Sequence, residues 1–485
     1  MAIPLFFLRG IGVFDDSLFL RFGELVWDGL LPYQDLFDNK PPGIYYLSAA
    51  IASVSGGHWI LPRIFLFTWG ILFGLGVVRY VQVLWGSVAA LIAALVFGLS
   101  YPLAQGYSLH TEQFSATFAF IALVVVSCKD RHGLTAWAFA GILLGVAFQF
   151  KQPALLFVIA FTAGIFLEAR HNRNPLKEFV QKTSVLLAGF LLFQCVIVFG
   201  VFYLGIAESY FDAVVTNAIY MADQPLNIVA AIKLWCRIPA VSFSVISISL
   251  VALNDNLRRS VFLGVKKGPL AISFMAGLIT LVPTLKIGFE HGHYAGMSIP
   301  FLTILVSVVL TKVYGLSRSG KATGLMPLKV SSLVFALVVA TYVLAVAWGS
   351  AVMIHQKRLE VDLSEWAEVN STLEVMPDVR EKILCLSRSR APQCYYMVKR
   401  RPATRYIFFW ENTDQYFSFS DAVGLLLGEG VSAAVVELVQ NGDTCTSLVL
   451  SQQDCAKLFE KYTVEIPSAT EHPRYGTRLA VLIKN

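Results

Sequence analysis

Long apolar blocks separated by short polar stretches fill most of the chain. A transmembrane helix needs about 20 mostly apolar residues to cross about 30 Å of hydrocarbon. Ten blocks approach that length, near residues 59–80, 88–103, 111–128, 134–150, 154–167, 185–204, 234–253, 270–285, 294–310 and 330–353. The opening MAIPLFFLRGIGVF is also apolar, but as a helix it would reach only about 21 Å before Asp15. It has neither the basic start nor the small-residue cleavage site of a signal peptide, so it reads as an incomplete first span, as a truncated start would leave. Beyond residue 353 the chain turns polar and acidic, with strand-like runs at Ala433–Leu438 and 478–483. The pattern predicts an α-helical polytopic membrane domain over residues 1–353, with about ten or eleven transmembrane helices, and a soluble α/β domain over residues 354–485.

Composition agrees with a membrane class: 56% of residues are hydrophobic, 14% are charged, and the mean hydropathy is +0.64. The formal charge of +6 is small, so its placement matters more than its size, and nucleic-acid binding is not suggested. Lys and Arg in short loops stay on the cytoplasmic side. Four basic loops fit that rule: Lys129 and Arg131; Arg170, Arg173, Lys177 and Lys182; Arg258, Arg259, Lys266 and Lys267; and Lys312, Arg318, Lys321 and Lys329. Residues 15–57, 103–110, 151–153, 205–233 and 286–293 then face outward, together with the C-terminal domain. That domain holds two close cysteine pairs, Cys385 with Cys394 and Cys445 with Cys455. In an extracytoplasmic setting they read as disulfides, with free thiols as the alternative, because spacing alone does not fix connectivity.

The first outer loop, FDDSLFLRFGELVWDGLLPYQDLFDNKPPGIYYL, concentrates the chemistry. Leu18, Phe19, Phe22, Leu25, Val26 and Leu30 recur at helical spacing, which predicts a helix lying along the membrane surface with Asp15 and Asp16 at its start. An Asp at that position is ordinarily a cap. Here a stiff turn follows, in which Pro41 and Pro42 fix the backbone just after Asp38, Asn39 and Lys40. Lys40 reads either as an amine offered to a ligand or as a snorkelling interfacial lysine. The topology brings Arg63, His110, Glu112, Lys151, Lys286, Glu290, His291, His293 and Tyr294 to the same face. Ionisable groups in an apolar bundle cost about 2.5–3.5 kcal/mol when truly central, so they need partners or a task. Together they predict a charged cavity. His110, Glu112, His291 and His293 carry ligand-type side chains, which leaves a divalent metal ion open. No tight ligand motif is present, and the other reading has these histidines hydrogen-bonding phosphate, sugar or carboxylates. His293-Tyr294 also fits an interfacial aromatic anchor. The amphipathic stretch 210–232 reads as a cover or lipid guide, or as ordinary surface loop.

Taken in order, Asp15-Asp16, Pro32-Tyr33, FDNKPPGIY, HTEQF, FKQPALL and GHY resemble the bacterial branch of the dolichyl-phosphate-mannose protein mannosyltransferase superfamily. That superfamily has the GT-C fold and includes the aminoarabinose transferase acting on lipid A. The resemblance covers residues 15–310, and the acid pair and DNKPPG are its most specific parts; the C-terminal domain matches only in layout, through RRPATRY. It implies a multi-pass protein of the bacterial plasma membrane, a hexosyl- or pentosyltransferase whose active site and C-terminal domain are extracytoplasmic. Its partners would be a polyprenyl-phosphate-linked sugar donor, the lipid bilayer, and an acceptor hydroxyl on a glycan, lipid or protein. Asp15 aligns with the family's catalytic aspartate, Asp16 stands where relatives carry Glu, and Glu112 falls where they have a second acid. Lys40 matches the lysine near the donor phosphate, with Arg63, Lys151 and Lys286 as further cations. Asp38, Asn39, His110, His291, His293 and Tyr294 are the expected acceptor or sugar contacts. Asn39 occupies the place of the metal-ligand acid of the aminoarabinose branch.

These residue types fit the chemistry. A phosphate leaves without being protonated, so one carboxylate acting as general base on the acceptor suffices, while cations hold the growing phosphate charge. A single displacement of this kind inverts the anomeric centre. Two other classes compete. A transporter would show internal pseudo-repeats and polar groups near mid-bilayer, whereas the charges here gather at one face. A non-catalytic lipid-sugar binding or assembly subunit is favoured by the short first span and opposed by Asp15.

Overall fold

The computed structural model describes residues 14–318 apart from 57, 59, 128–132, 171–173, 217, 220–224, 255–256, 259–260, 262–266 and 286–291; beyond 318 it describes chiefly 382–386, 394–395, 401–402, 431, 433–438, 452–465 and 478–484. The expected first span and the block at 330–353 lie outside the described residues. In chain order the helices are α1 (Phe14–Trp27), α2 (Gly43–Ser55), α3 (Ile60–Trp85), α4 (Ser87–Leu103), α5 (Thr111–Ser127), α6 (Gly133–Phe148), α7 (Leu155–Ala169), α8 (Pro175–Tyr203), α9 (Ala207–Phe211), α10 (Ile228–Arg237), α11 (Pro239–Leu253), α12 (Lys267–Ile279), α13 (Ile299–Arg318) and α14 (Gln452–Lys461). The chain divides into two compact units. One joins Ile64–Gly205 with the described residues of Met221–Val352; the other joins the described residues of Leu5–Arg63, Ile206–Tyr220 and Met353–Asn485.

The first unit is helical. Leu72, Leu75, Leu191, Leu192, Val196 and Phe199 are all more than half exposed, an apolar surface that suits lipid and not water. Among the described residues five helical segments are long and apolar enough to cross a membrane, or six with one bent pair. This is a multi-pass membrane protein. Three expected spans form helices within two residues of the expected bounds but below the length of a full crossing: α4 and α5 have 17 residues and α6 has 16. At about 1.5 Å per residue, helices of that length reach only about 24–26 Å. The expected span at 234–253 is also not one helix. α10 and α11 meet at a bend of 97°, because Pro239 has no N–H to continue the helix and drives Ile238 to an extended conformation (φ −104°, ψ 112°). The next N–H, of Ala240, is taken up by Ser100 Oγ on α4 at 2.8 Å.

Small residues set the tightest packing. A Cβ at Gly141 on α6 would overlap the Leu186 carbonyl of α8, and one at Gly189 on α8 would overlap the Ala138 carbonyl of α6. These two backbones touch because neither glycine carries a side chain. Polar pins supplement the contact: Gln149 donates from Nε2 to Gln194 Oε1 at 2.6 Å, and Trp69 donates from Nε1 to Thr117 Oγ1 at 3.2 Å.

In the second unit α1 packs on α2 where Gly23 meets the backbone of Ser48 and Ala49. Leu18, Phe19, Phe22 and Leu25 are buried, and the expected helix from this segment is present. The unit also contains a five-stranded sheet of β1 (Lys382–Leu386), β2 (Arg401–Pro402), β3 (Ala433–Leu438), β4 (Tyr462–Glu465) and β5 (Arg478–Lys484), in the order β2-β1-β3-β5-β4. β1 runs parallel to β2 and β3, while β5 is antiparallel to β3 and β4. The apolar run from Ala433 to Val436 is fully buried, as a central strand requires. Cys385 at β1 is disulfide-bonded to Cys394.

Candidate functional site

Each unit holds buried acids paired with cations of its own. In the second unit, Asp15 and Asp16 lie in the first described turn of α1. Asp16 is 1% exposed, and its Oδ2 lies 2.8 Å from Nη1 of Arg63, which is 5% exposed. Asp15 is only partly buried. Neighbouring acids therefore do different work: Asp16 is committed to a buried cation, and Asp15 keeps access to solvent.

Downstream of α1 the chain turns sharply. The Tyr33 N–H donates to the Leu36 carbonyl at 2.7 Å, and Tyr33 adopts φ 70°, a conformation L side chains seldom take. Asp38 is fully buried, and its carboxylate gathers three donors: the Asn39 N–H (2.8 Å), Lys40 Nζ (3.1 Å) and Tyr45 Oη (2.9 Å). The Lys40 carbonyl accepts from Tyr33 Oη at 2.8 Å and Tyr45 Oη at 3.2 Å. The Lys40 ammonium also sits over the Phe19 ring, 5.2 Å from its centroid, and 3.5 Å from Asn39 Oδ1. Burial, and then the Asp38 charge, push the Tyr45 hydroxyl well above the usual phenol range, so it stays a donor.

The first unit holds a cluster around Glu112. Glu112, in the first turn of α5, is 3% exposed; its Oε1 lies 2.9 Å from Lys151 Nζ, and Thr111 Oγ1 donates to its Oε2 at 3.1 Å. The Lys151 ammonium lies over the Tyr294 ring at 5.4 Å. The rings of His110 and His293 stack with centroids 4.1 Å apart, and His293 Nδ1 is 2.8 Å from Gln105 Oε1. One ring nitrogen of each histidine lies within 4.8 Å of the other, close enough to share an ion.

Of the residues expected from the sequence, Asp15, Asp16, Asp38, Asn39, Lys40 and Arg63 fall in the second unit and His110, Glu112, Lys151, His293 and Tyr294 in the first. Lys286, Glu290 and His291 lie outside the described residues. Tyr45 and Gln105 are the additions the structure makes. Tyr45 has a faint sequence signal, a polar-tipped aromatic in the first turn after a Pro pair. Gln105 has none, since its side chain reaches a residue 188 positions away.

Residues 39–199 match the family model described as dolichyl-phosphate-mannose-protein mannosyltransferase. The whole chain is similar in structure to ArnT from Cupriavidus metallidurans bound to undecaprenyl phosphate, with a TM-score of 0.61 and 10% identity over 99% of this chain and 96% of that one. The chain has the GT-C fold. The GT-C fold that the resemblance implied is thus the fold of the structure, and the family model falls within the residues that carried it. The archaeal oligosaccharyltransferase AglB from Archaeoglobus fulgidus, in complex with an inhibitory peptide and a dolichol-phosphate, matches at a TM-score of 0.55 and 12% identity over 95% of this chain and 70% of that one. The oligosaccharyltransferase of the same archaeon in complex with Zn and sulfate matches at 0.53 and 12% over 95% and 69%. No curated protein matches the sequence.

Proposed function

We propose that this chain is a glycosyltransferase that moves a sugar from a polyprenyl-phosphate carrier to an acceptor hydroxyl at the extracytoplasmic face of a bacterial plasma membrane. The observation that carries the reading is that buried acids in an apolar helical protein are each held beside a cation: Asp16 by Arg63, Asp38 by Lys40 and Glu112 by Lys151. Such groups are costly in an apolar setting and persist where they have a task. The family-model match over residues 39–199 takes in both Lys40 and Glu112, and similar proteins of this fold hold polyprenyl phosphates.

In this reading Asp15 takes the acceptor hydroxyl's proton as its oxygen attacks the anomeric carbon, and the carrier phosphate departs with the bonding electrons. Inversion follows from that single displacement. Asp16 and Arg63 fix the start of α1 and so the aim of Asp15. Lys40 meets the phosphate, and Lys151 and Lys286 add positive charge. His110 and His293 are the residues that would hold a divalent ion, which when bound would add positive charge beside the leaving phosphate. If they do so, dialysis against EDTA lowers transfer and Mn²⁺ restores it; unchanged transfer assigns them to hydrogen bonding. The Cys385–Cys394 disulfide supports an oxidising compartment for the domain at residues 354–485.

The test is donor consumption. Protein in lipid nanodiscs is given a panel of polyprenyl-phosphate sugars with candidate acceptors, wild type beside Asp15→Asn. Consumption of one donor by wild type alone is expected and names the sugar. No consumption of any donor moves the reading to a non-catalytic lipid-sugar binding subunit.

A further inference from the structure

The turn around Lys40 is more elaborate than the capture of a phosphate by one lysine requires, and three separate features converge on it. Asp38 is fully buried, and its oxygens are taken up by the Asn39 N–H, Lys40 Nζ and Tyr45 Oη. The carbonyl of Lys40 itself receives two phenol hydroxyls, those of Tyr33 and Tyr45. Tyr33 is held at φ 70°, a strained conformation for a bulky residue that persists only where its surroundings impose it. The surroundings are aromatic: Tyr45 edge-on at 5.8 Å and Tyr210 edge-on at 5.3 Å.

Each feature acts on the lysine, none on solvent. The paired tyrosines fix the backbone from which the Lys40 side chain leaves, and the Asp38 carboxylate and the Phe19 ring fix where its ammonium comes to rest. An ammonium has three N–H donors. Lys40 Nζ makes one good hydrogen bond, to Asp38 Oδ1 at 3.1 Å, and two long contacts, to Asp38 Oδ2 at 3.4 Å and Asn39 Oδ1 at 3.5 Å, which a phosphate oxygen would readily replace. We infer that Tyr33, Tyr45 and Asp38 are positioning residues which hold the Lys40 ammonium ready for a phosphate oxygen of the lipid carrier, and that Asp38 is not a contact of sugar or acceptor. Lysine on a four-carbon stem loses much rotamer freedom when it binds, and a turn that has already fixed it removes that loss from the binding step. The inference deepens the proposed function and rests on the reading that Lys40 meets the donor.

The decisive variant is Tyr45→Phe, which keeps the ring packed against Phe22 at 5.2 Å but removes the hydroxyl from both Asp38 and the Lys40 carbonyl. Steady-state transfer and binding of undecaprenyl phosphate are measured in nanodiscs, with Tyr46→Phe on the exposed side of α2 as control. Tyr45→Phe is expected to raise the donor KM and the undecaprenyl phosphate Kd about tenfold, with kcat at saturating donor and the acceptor KM within about twofold of wild type. Tyr33→Phe should act in the same direction, and Tyr46→Phe should change nothing. Loss confined to kcat, a shift in acceptor KM, or an unchanged donor KM in an active enzyme would overturn the positioning role while leaving the transferase reading intact. A wild type that neither transfers sugar nor binds undecaprenyl phosphate would remove both.

Discussion

The two charged clusters solve the same physical problem in opposite ways. Around Lys40 the chain folds back on itself: the hydrogen bonds link residues no more than seven positions apart, and a Pro pair stiffens the turn. The cluster at Glu112 draws on three separate stretches of chain, with Gln105 and Glu112 from the turn and helix start at 105–112, Lys151 from the turn before α7 and His293 from the turn before α13. A local device keeps its geometry through its own covalent continuity. A distributed one depends on helix packing. Damage to the first should therefore appear in ligand affinity, and damage to the second in stability as well as rate.

The largest effect expected is that of Asp15→Asn, which removes a base while keeping size and polarity. Transfer should fall by about 10²–10⁴-fold, with the thermal unfolding of the detergent-solubilised protein unchanged. Retained transfer would take Asp15 out of the reaction. Next come the buried pairs. Breaking one by deleting its cation strands an acid, a loss of about 3–5 kcal/mol when both partners are fully desolvated. Arg63→Met should therefore cost about 3 kcal/mol, because the Asp16 and Arg63 side chains are 2% and 5% exposed. Lys151→Met should cost less, about 2 kcal/mol, since water reaches a Lys151 side chain that is 17% exposed. The double variant Asp16→Asn with Arg63→Met should recover most of the loss, because no charge is then left stranded. Equal costs for Arg63→Met and Lys151→Met in denaturant titrations would show that exposure of the cation does not set the cost of stranding its acid.

The same contrast explains what could be read from the sequence. The α1 helix, the acid pair at its start and the DNKPPG turn are local patterns, and the structure contains each where the residues predict it. The strands at Ala433–Leu438 and Arg478–Lys484 were legible for the same reason, as short apolar runs. Pairings across the fold were not. Loop topology could bring Arg63 and Glu112 to one face, but it could not say that Arg63 pairs with Asp16 or Lys151 with Glu112, since those partners lie 47 and 39 positions apart. The bend at Ile238 shows a different limit. Hydropathy sums to a passable span across 234–253, and only the missing N–H of Pro239 reveals the break.

The smallest effect concerns Gln105, which holds φ 56° in the turn between α4 and α5. A left-handed conformation costs an L residue about 1–2 kcal/mol and costs glycine almost nothing. Gln105→Gly should leave stability unchanged or raise it by about 0.5–1 kcal/mol, the relief of strain being partly offset by the greater freedom of the unfolded chain. The same change takes Oε1 away from His293 Nδ1. The imidazole then loses the contact that fixes its orientation against His110, so transfer should fall a few-fold, about the worth of one modest hydrogen bond. Gln105→Asn is the sharper companion, because Asn tolerates positive φ better than Gln but its side chain is one carbon shorter. If the Gly variant is more stable and slower while the Asn variant is more stable and equally slow, the native Gln is kept for its reach to His293. If neither variant slows transfer, the Gln105 contact is not what orients His293, and the distributed cluster is as self-sufficient as the local one.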